Sequence, residues 1–180
     1  MSKLITDVGL SPLTLSLAGS SFLFFGMTQL EVSGPINLIR DKADPLNLNK
    51  RDKVRIWAAF FHRTASVAIG TVIVVSAVSA WTAFNTTNPV IAQYSWAAAI
   101  SSFAALPYTG FVVKPVNDAL LGLKDLTDQR ELSITEEKEV DRLIEKWNVR
   151  HLPRLPLLAV AWGSSLVAFA VGVYGVKVHG

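Results

Sequence analysis

Apolar and polar positions are not interleaved along this chain; they fall into long separate blocks. Between Asp7 and Glu31 lie 23 residues without Asp, Glu, Lys or Arg; 50 more lie between Arg63 and Lys114, and 22 between Arg154 and Lys177. A helix rises about 1.5 Å per residue, so about 20 apolar residues cross the roughly 30 Å hydrocarbon core of a bilayer. The longest block is two such lengths joined by Asn85-Thr86-Thr87-Asn88-Pro89, a run of turn-forming residues. The pattern predicts four transmembrane helices at about 13–32, 56–84, 91–113 and 155–176. The first is longer than the apolar stretch of a secretory leader and reads as a retained helix.

The polar block before the last span has its own periodicity. Ser133 followed by Glu136 has the form of a capping box. Val140, Leu143, Ile144 and Trp147 then recur at i, i+3, i+4 and i+7, one apolar stripe opposite Glu137, Asp141, Glu145 and Lys146. An amphipathic helix over about 133–150 follows, either lying on the headgroups or closing the mouth of the bundle as a lid. The expected fold class is all-α: an integral-membrane four-helix bundle, one domain over residues 1–180, with this extra amphipathic cytoplasmic helix between spans three and four. Ser16, Ala18, Ser20, Gly26, Ala65, Gly70, Gly163, Gly172 and Gly175 supply small residues for close helix approach.

Composition narrows the class further. Hydrophobic residues make up 51% of the chain and charged residues 17%, against about a quarter charged in soluble domains. That excludes a disordered chain and argues against a soluble globular enzyme. Cysteine is absent, which excludes disulfides, thiolate nucleophiles and Cys-ligated zinc. The net charge of +3 forms no basic face for nucleic acid. Its Lys and Arg flank the spans instead, with Arg40, Lys42, Lys50, Arg51, Lys53 and Arg55 after the first and Lys114 through Arg154 after the third. The positive-inside rule places both long connections in the cytoplasm and both termini on the far side.

Ionisable groups inside a membrane domain default to a functional reading. Here Gln29 and Glu31, His62 and Arg63, Asn117 and Asp118, and Trp147, Asn148, His151 and Arg154 gather at one end of the four spans. Trp147, His151 and Arg154 share a helical face by their i, i+4, i+7 spacing, with Pro153 between the last two. Pro107 breaks span three internally and is expected to loosen a turn there, which lets the Tyr108 hydroxyl and Thr109 face the bundle interior.

Leu106-Pro107-Tyr108-Thr109, followed by Pro115-Val116-Asn117 and Leu120, resembles a signature of the anthrone oxygenase family, small four-span membrane proteins common in fungi. Trp147, His151 and Arg154 resemble its second signature, and Trp57 also fits; position 151 carries His where Asn is commoner. The resemblance implies oxidation of a polyketide-derived anthrone to an anthraquinone by dioxygen, with no cofactor, because the deprotonated anthrone reduces O₂ itself. His151 is then the candidate base, and Arg154 and Asn117 the candidate oxyanion donors. Tyr108 and Trp147 would stack on the rings, with Thr109 and His62 as further substrate contacts. The expected partners are membrane lipid, an aromatic polyketide-like small molecule and O₂; homo-oligomerisation stays open. Two other readings stand beside it. One is a non-catalytic tetraspanning scaffold or accessory subunit; the other is a haem- or metal-binding oxidoreductase with His62 and His151 as axial ligands.

Overall fold

The computed structural model describes residues 9–34, 37, 39 and 48–175. Among these the chain is helical apart from short connections, with no strand. The helices are α1 (Leu10–Ser33), α2 (Lys50–Asn85), α3 (Pro89–Tyr108), a π-helical turn (Thr109–Val113), α4 (Lys114–Gln129), α5 (Ile134–His151) and α6 (Arg154–Tyr174). Four helices are long and apolar enough to cross a membrane, the third running on to Gln129 and the fourth starting at Ile134. The chain is thus an all-α, multi-pass membrane protein. Phe22, Ile73, Trp81, Phe84, Ile100, Phe103 and Phe111 are exposed. In water such a surface would drive association; in lipid it is the expected exterior.

The observed helices overrun the apolar blocks at their polar ends. α2 begins at Lys50, six residues before the predicted span at 56, because Asn49 accepts from the Asp52 N–H through its side chain (2.8 Å) and so caps a polar first turn. Asn88 caps α3 in the same way, accepting from Val90 N–H at 3.0 Å, with Pro89 at the first helical position, where proline is tolerated.

The chain folds as two compact units. The first comprises residues 9–26, 68–106 and 155–175. Its polar seam joins three helices: Ser16 Oγ lies 2.6 Å from Ser79 Oγ and 3.0 Å from Ser165 Oγ, all buried. Such bonds between membrane helices contribute about 0.6 kcal/mol each. Leu13, Ile91, Ala168 and Val171 form its apolar core. Phe24 stacks on Trp162 at 5.4 Å.

The close approach in this unit is at Gly19, where an added Cβ would lie 2.5 Å from Val75 Cγ2. Around Gly26, Gly70 and Gly163, by contrast, a Cβ would meet nothing within 4 Å. These three glycines, read from sequence as packing positions, are not the seam. Gly19→Ala is expected to destabilise the protein by about 1–3 kcal/mol through overpacking. Val75→Ala in the same chain should recover most of the loss in a detergent thermal-unfolding assay. A cavity of about 450 Å³ in this unit is lined by Ile73, Ser76, Trp96, Ile100, Phe103 and neighbours, and contains none of the candidate site residues.

The second unit comprises residues 27–34, 37, 39, 48–67 and 107–154. Here α4 and α5 are amphipathic and pack as a hairpin. Val116, Leu120 and Leu123 of α4 meet Val140, Leu143, Ile144 and Trp147 of α5 in a core shared with Val54, Trp57 and Ala58. The amphipathic helix expected at 133–150 is present, but its apolar stripe is buried in protein and does not rest on headgroups, because α4 offers it a matching stripe. Its start is fixed by the capping box: the Glu136 N–H donates to Ser133 Oγ (3.4 Å) and the Ser133 N–H to Glu136 Oε2 (2.8 Å). Arg130 pairs with Glu136 at 2.5 Å, and that carboxylate raises the Arg130 guanidinium above its ordinary value. Ion pairs from Lys50 to Asp141 (2.7 Å) and from Arg55 to Asp128 (2.8 Å) tie α2 to the hairpin.

Candidate functional site

Two helix irregularities position the site, and proline accounts for both. Pro107 removes an N–H and crowds the carbonyl four residues back. The helix answers by widening, not by breaking: Tyr108 stays helical and the next turn is π, with the Lys114 N–H bonded to Thr109 O. The turn that Pro107 is expected to loosen is a wide one inside a continuous span, a feature common at functional sites. Pro115, at the start of α4, lacks a second N–H. Carbonyls in the wide turn are left to other donors, and Arg150 Nη1 donates to Val112 O at 3.2 Å. The Tyr108 hydroxyl donates in turn to Arg150 O at 3.0 Å. The second irregularity is Leu152-Pro153, a two-residue break between α5 and α6.

These two segments bring the signature residues together inside the second unit. His151 is 4% exposed and Trp147 4%. The imidazole stacks on the Trp147 indole with centroids 4.6 Å apart, and Trp57 meets the Trp147 ring edge-on at 6.1 Å. Arg154, across the break, donates through Nη2 to His151 Nδ1 and reaches Thr109 Oγ1 through Nη1 at 3.5 Å. The other imidazole nitrogen, Nε2, faces Glu31 Oε1 at 3.2 Å. Glu31 and Tyr108 also lie within electrostatic reach of Arg154.

Guanidinium is an obligate donor. With Arg154 directed at Nδ1, that nitrogen must carry the lone pair, and the ring proton belongs on Nε2. The side chain of Asn117 is buried one turn beyond the wide turn. Among the described residues of this unit, Arg51 Nε, Trp57 Nε1, Asn117 Oδ1, Trp147 Nε1, Asn148 Oδ1, His151 Nε2 and Arg154 Nε are buried without a hydrogen-bond partner. Each such atom costs about 1–3 kcal/mol, and native folds hold few. Their concentration in the unit that holds the imidazole makes this cluster the candidate site.

Of the residues singled out by sequence, His151, Arg154, Thr109 and Trp147 are brought into direct contact, and Tyr108 is anchored beside them through Arg150. Asn117 shares the unit and the burial. His62 does not join them: it is exposed and meets Phe61 edge-on at 5.8 Å. With His62 exposed and both nitrogens of His151 facing protein groups, the pair is not arranged as axial ligands. Among the described residues no group of three or more His, Asp or Glu converges as a metal set. Sequence reading assigned no role to Glu31, Asn148 and Arg150. For Glu31 the signal was present, an acidic residue ending an uncharged run of 23.

The fold and the cluster together define a helical, four-span membrane protein with a buried polar centre built on a π-turn and a helix break. The family model for anthrone oxygenase matches residues 57–164, more than half of the chain. The chain belongs to the anthrone oxygenase family. The match takes in every candidate residue named from the sequence, whereas Glu31 precedes it. No curated protein and no solved structure matches the chain.

Proposed function

We propose that this protein oxidises an anthrone-like aromatic to the corresponding quinone with dioxygen, using its own side chains as base and oxyanion donors. The observation that supports this most is the Arg154–His151 pair, buried against Trp147 among unpartnered polar atoms. An anthrone CH₂ lies between two aromatic rings and is conjugated to a ketone, so one proton leaves readily when the enolate oxygen is held. In the resting arrangement Arg154 occupies the lone pair of His151. A substrate ketone that draws the guanidinium away both gains an oxyanion donor and frees Nδ1 as the base. Binding thus arms the site.

The atoms then balance. The CH₂ gives one proton to Nδ1, and the enolate passes one electron to O₂. The carbon radical and superoxide combine and are protonated to a carbon-bound hydroperoxide. Loss of the second C–H proton with cleavage of the O–O bond leaves the carbonyl, and the departing hydroxide leaves as water after protonation. One oxygen atom of O₂ enters the quinone and one enters water. The site is closed around His151, so a flat substrate needs a yielding element. The π-turn and the Leu152-Pro153 break are where the helices yield most readily. Such a substrate dissolves in the bilayer, which gives an enzyme with an apolar exterior direct access to it.

The test is to supply anthrones to membranes containing the protein under ¹⁸O₂. One labelled atom per quinone, formed at a rate well above that of membranes without the protein, is the expected result. Label in both products without rate enhancement would reflect uncatalysed autoxidation and would end the proposal.

The orientation belongs to the same reading, with the connection before α2 and the α4–α5 hairpin in the cytoplasm and both termini opposite. Arg40 and Lys42, two of the cations that argue for it, lie outside the described residues. The absence of native cysteine makes single-cysteine reporters clean. In sealed right-side-out vesicles an impermeant maleimide should label Thr87→Cys in the α2–α3 turn and spare Glu131→Cys; the reverse pattern would invert the topology.

A further inference from the structure

The role of Glu31 is not covered by the family match, which begins at residue 57, nor by the chemistry assigned to His151 and Arg154. The Glu31 carboxylate ends the uncharged run of α1, with its side chain 10% exposed beside a His151 side chain that is 5% exposed. A carboxylate at this depth is costly unless it is paired. Its Oε1 lies 3.2 Å from His151 Nε2, on the opposite side of the ring from Nδ1, where Arg154 donates. The imidazole thus lies between a carboxylate at ion-pair distance from Nε2, with no hydrogen bond formed there, and a donor on Nδ1.

We propose that Glu31 is a positioning residue for the proton transfer, fixing His151 as the Nε2–H tautomer so that Nδ1 is the nitrogen presented to substrate. This rests on the assignment of His151 as base. When Nδ1 takes the substrate proton, the ring becomes an imidazolium with Nε2 3.2 Å from a carboxylate oxygen, and the opposite charge stabilises the charged form where hydrocarbon would not. The logic parallels that of a carboxylate behind a catalytic histidine, where the acid holds tautomer and charge without itself accepting the proton. Once the substrate has drawn Arg154 off Nδ1, Glu31 is the group left to select Nε2–H, and without it turning the imidazole about its Cβ–Cγ bond would point the lone pair away from the substrate. Arg154 and Glu31 attract each other across the ring, which keeps the three side chains in register.

Two measurements test the proposal on the full-length protein in lipid nanodiscs. The first is ¹⁵N NMR of selectively labelled histidine, with the His151 signals identified by their loss in His151→Ala. The wild-type ring should show a lone-pair Nδ1 and a protonated Nε2. In Arg154→Gln, where the carboxylate alone selects the tautomer, the ring should keep that pattern; with Glu31→Gln added, helical content and melting behaviour retained, it should become a mixture of tautomers, and Glu31→Asp in place of Glu31→Gln should restore part of the pattern. The second is turnover of an anthrone. Glu31→Gln should lower kcat about 10–100-fold, a range measured for outer-shell partners of metal-bound histidines, with KM little changed. A wild-type ring protonated on Nδ1 would overturn the proposal whether or not any variant folds. An unchanged ring pattern in the folded double variant would overturn it as well. The nitrogen spectra do not depend on turnover, so failure of the protein to oxidise any anthrone would count against the base assignment and leave the Glu31–His151 pairing separately decided.

Discussion

Replacing His151 with Ala is expected to lower anthrone turnover about 10²–10⁴-fold, the range over which a positioned general base acts. The size follows from two tasks that the proposed mechanism gives the ring. It takes the CH₂ proton in the step that creates the electron-rich enolate, and no downstream step proceeds until that enolate exists. It also fills the space between Trp147 and the Glu31 carboxylate, so its loss leaves a cavity and a partly buried charge. Those structural costs appear in thermal unfolding, and the two effects separate when turnover is normalised to folded protein. Exogenous imidazole provides a further handle, since a small base diffusing into the vacated space should restore part of the rate in His151→Ala. A variant that keeps wild-type turnover would remove His151 from the chemistry.

The second large effect is expected at Arg154. Arg154→Gln should lower kcat/KM about 10²–10³-fold, the usual consequence of deleting one oxyanion donor. Arg154→Lys should recover only part of this. Lysine keeps the charge but loses the planar fork, and the fork is what allows one side chain to reach both Thr109 Oγ1 and His151 Nδ1. In Arg154→Gln the Nδ1 lone pair loses its cationic donor, so the base is armed before substrate arrives while the enolate is no longer stabilised. Under this mechanism the variant should bind anthrone yet fail to accumulate enolate. Equal losses in Arg154→Lys and Arg154→Gln would assign the guanidinium to geometry alone; no loss in either would exclude it as an oxyanion donor.

Much of the fold was legible because lipid imposes a simple rule on sequence. Uncharged runs of 22 to 50 residues have few destinations other than a bilayer, and the capping box at Ser133 announces α5 without reference to anything distant. The helix ends were less legible, since α2 begins in a charged turn whose side chains are satisfied by Asp128 and Asp141, partners more than 70 residues away. At Pro107 the loosened turn was legible in the sequence, but not its form. A missing N–H can be absorbed by a break or by a wider turn, and the choice depends on Arg150 and Tyr108 supplying bonds across the hairpin. Spacing placed Trp147, His151 and Arg154 on one face, and the structure brings them into contact despite the break at Leu152-Pro153. Glu31 received no role from sequence because its partner lies 120 positions later; helical periodicity carries no information at that separation. His62 was chosen for its residue type and for its place at the end of a span, and neither property reports which way a helix faces.

The most direct measurement is anaerobic. Purified protein in nanodiscs is mixed with an anthrone in the absence of oxygen, and the visible absorption of the enolate is followed before O₂ is admitted. The wild type is expected to build up bound enolate at a pH where free anthrone stays protonated, and on oxygenation to convert it to quinone in equal amount; His151→Ala should do neither. Enolate absent from the wild type, or present equally in His151→Ala, would contradict the assignment of this buried cluster as the site of proton removal.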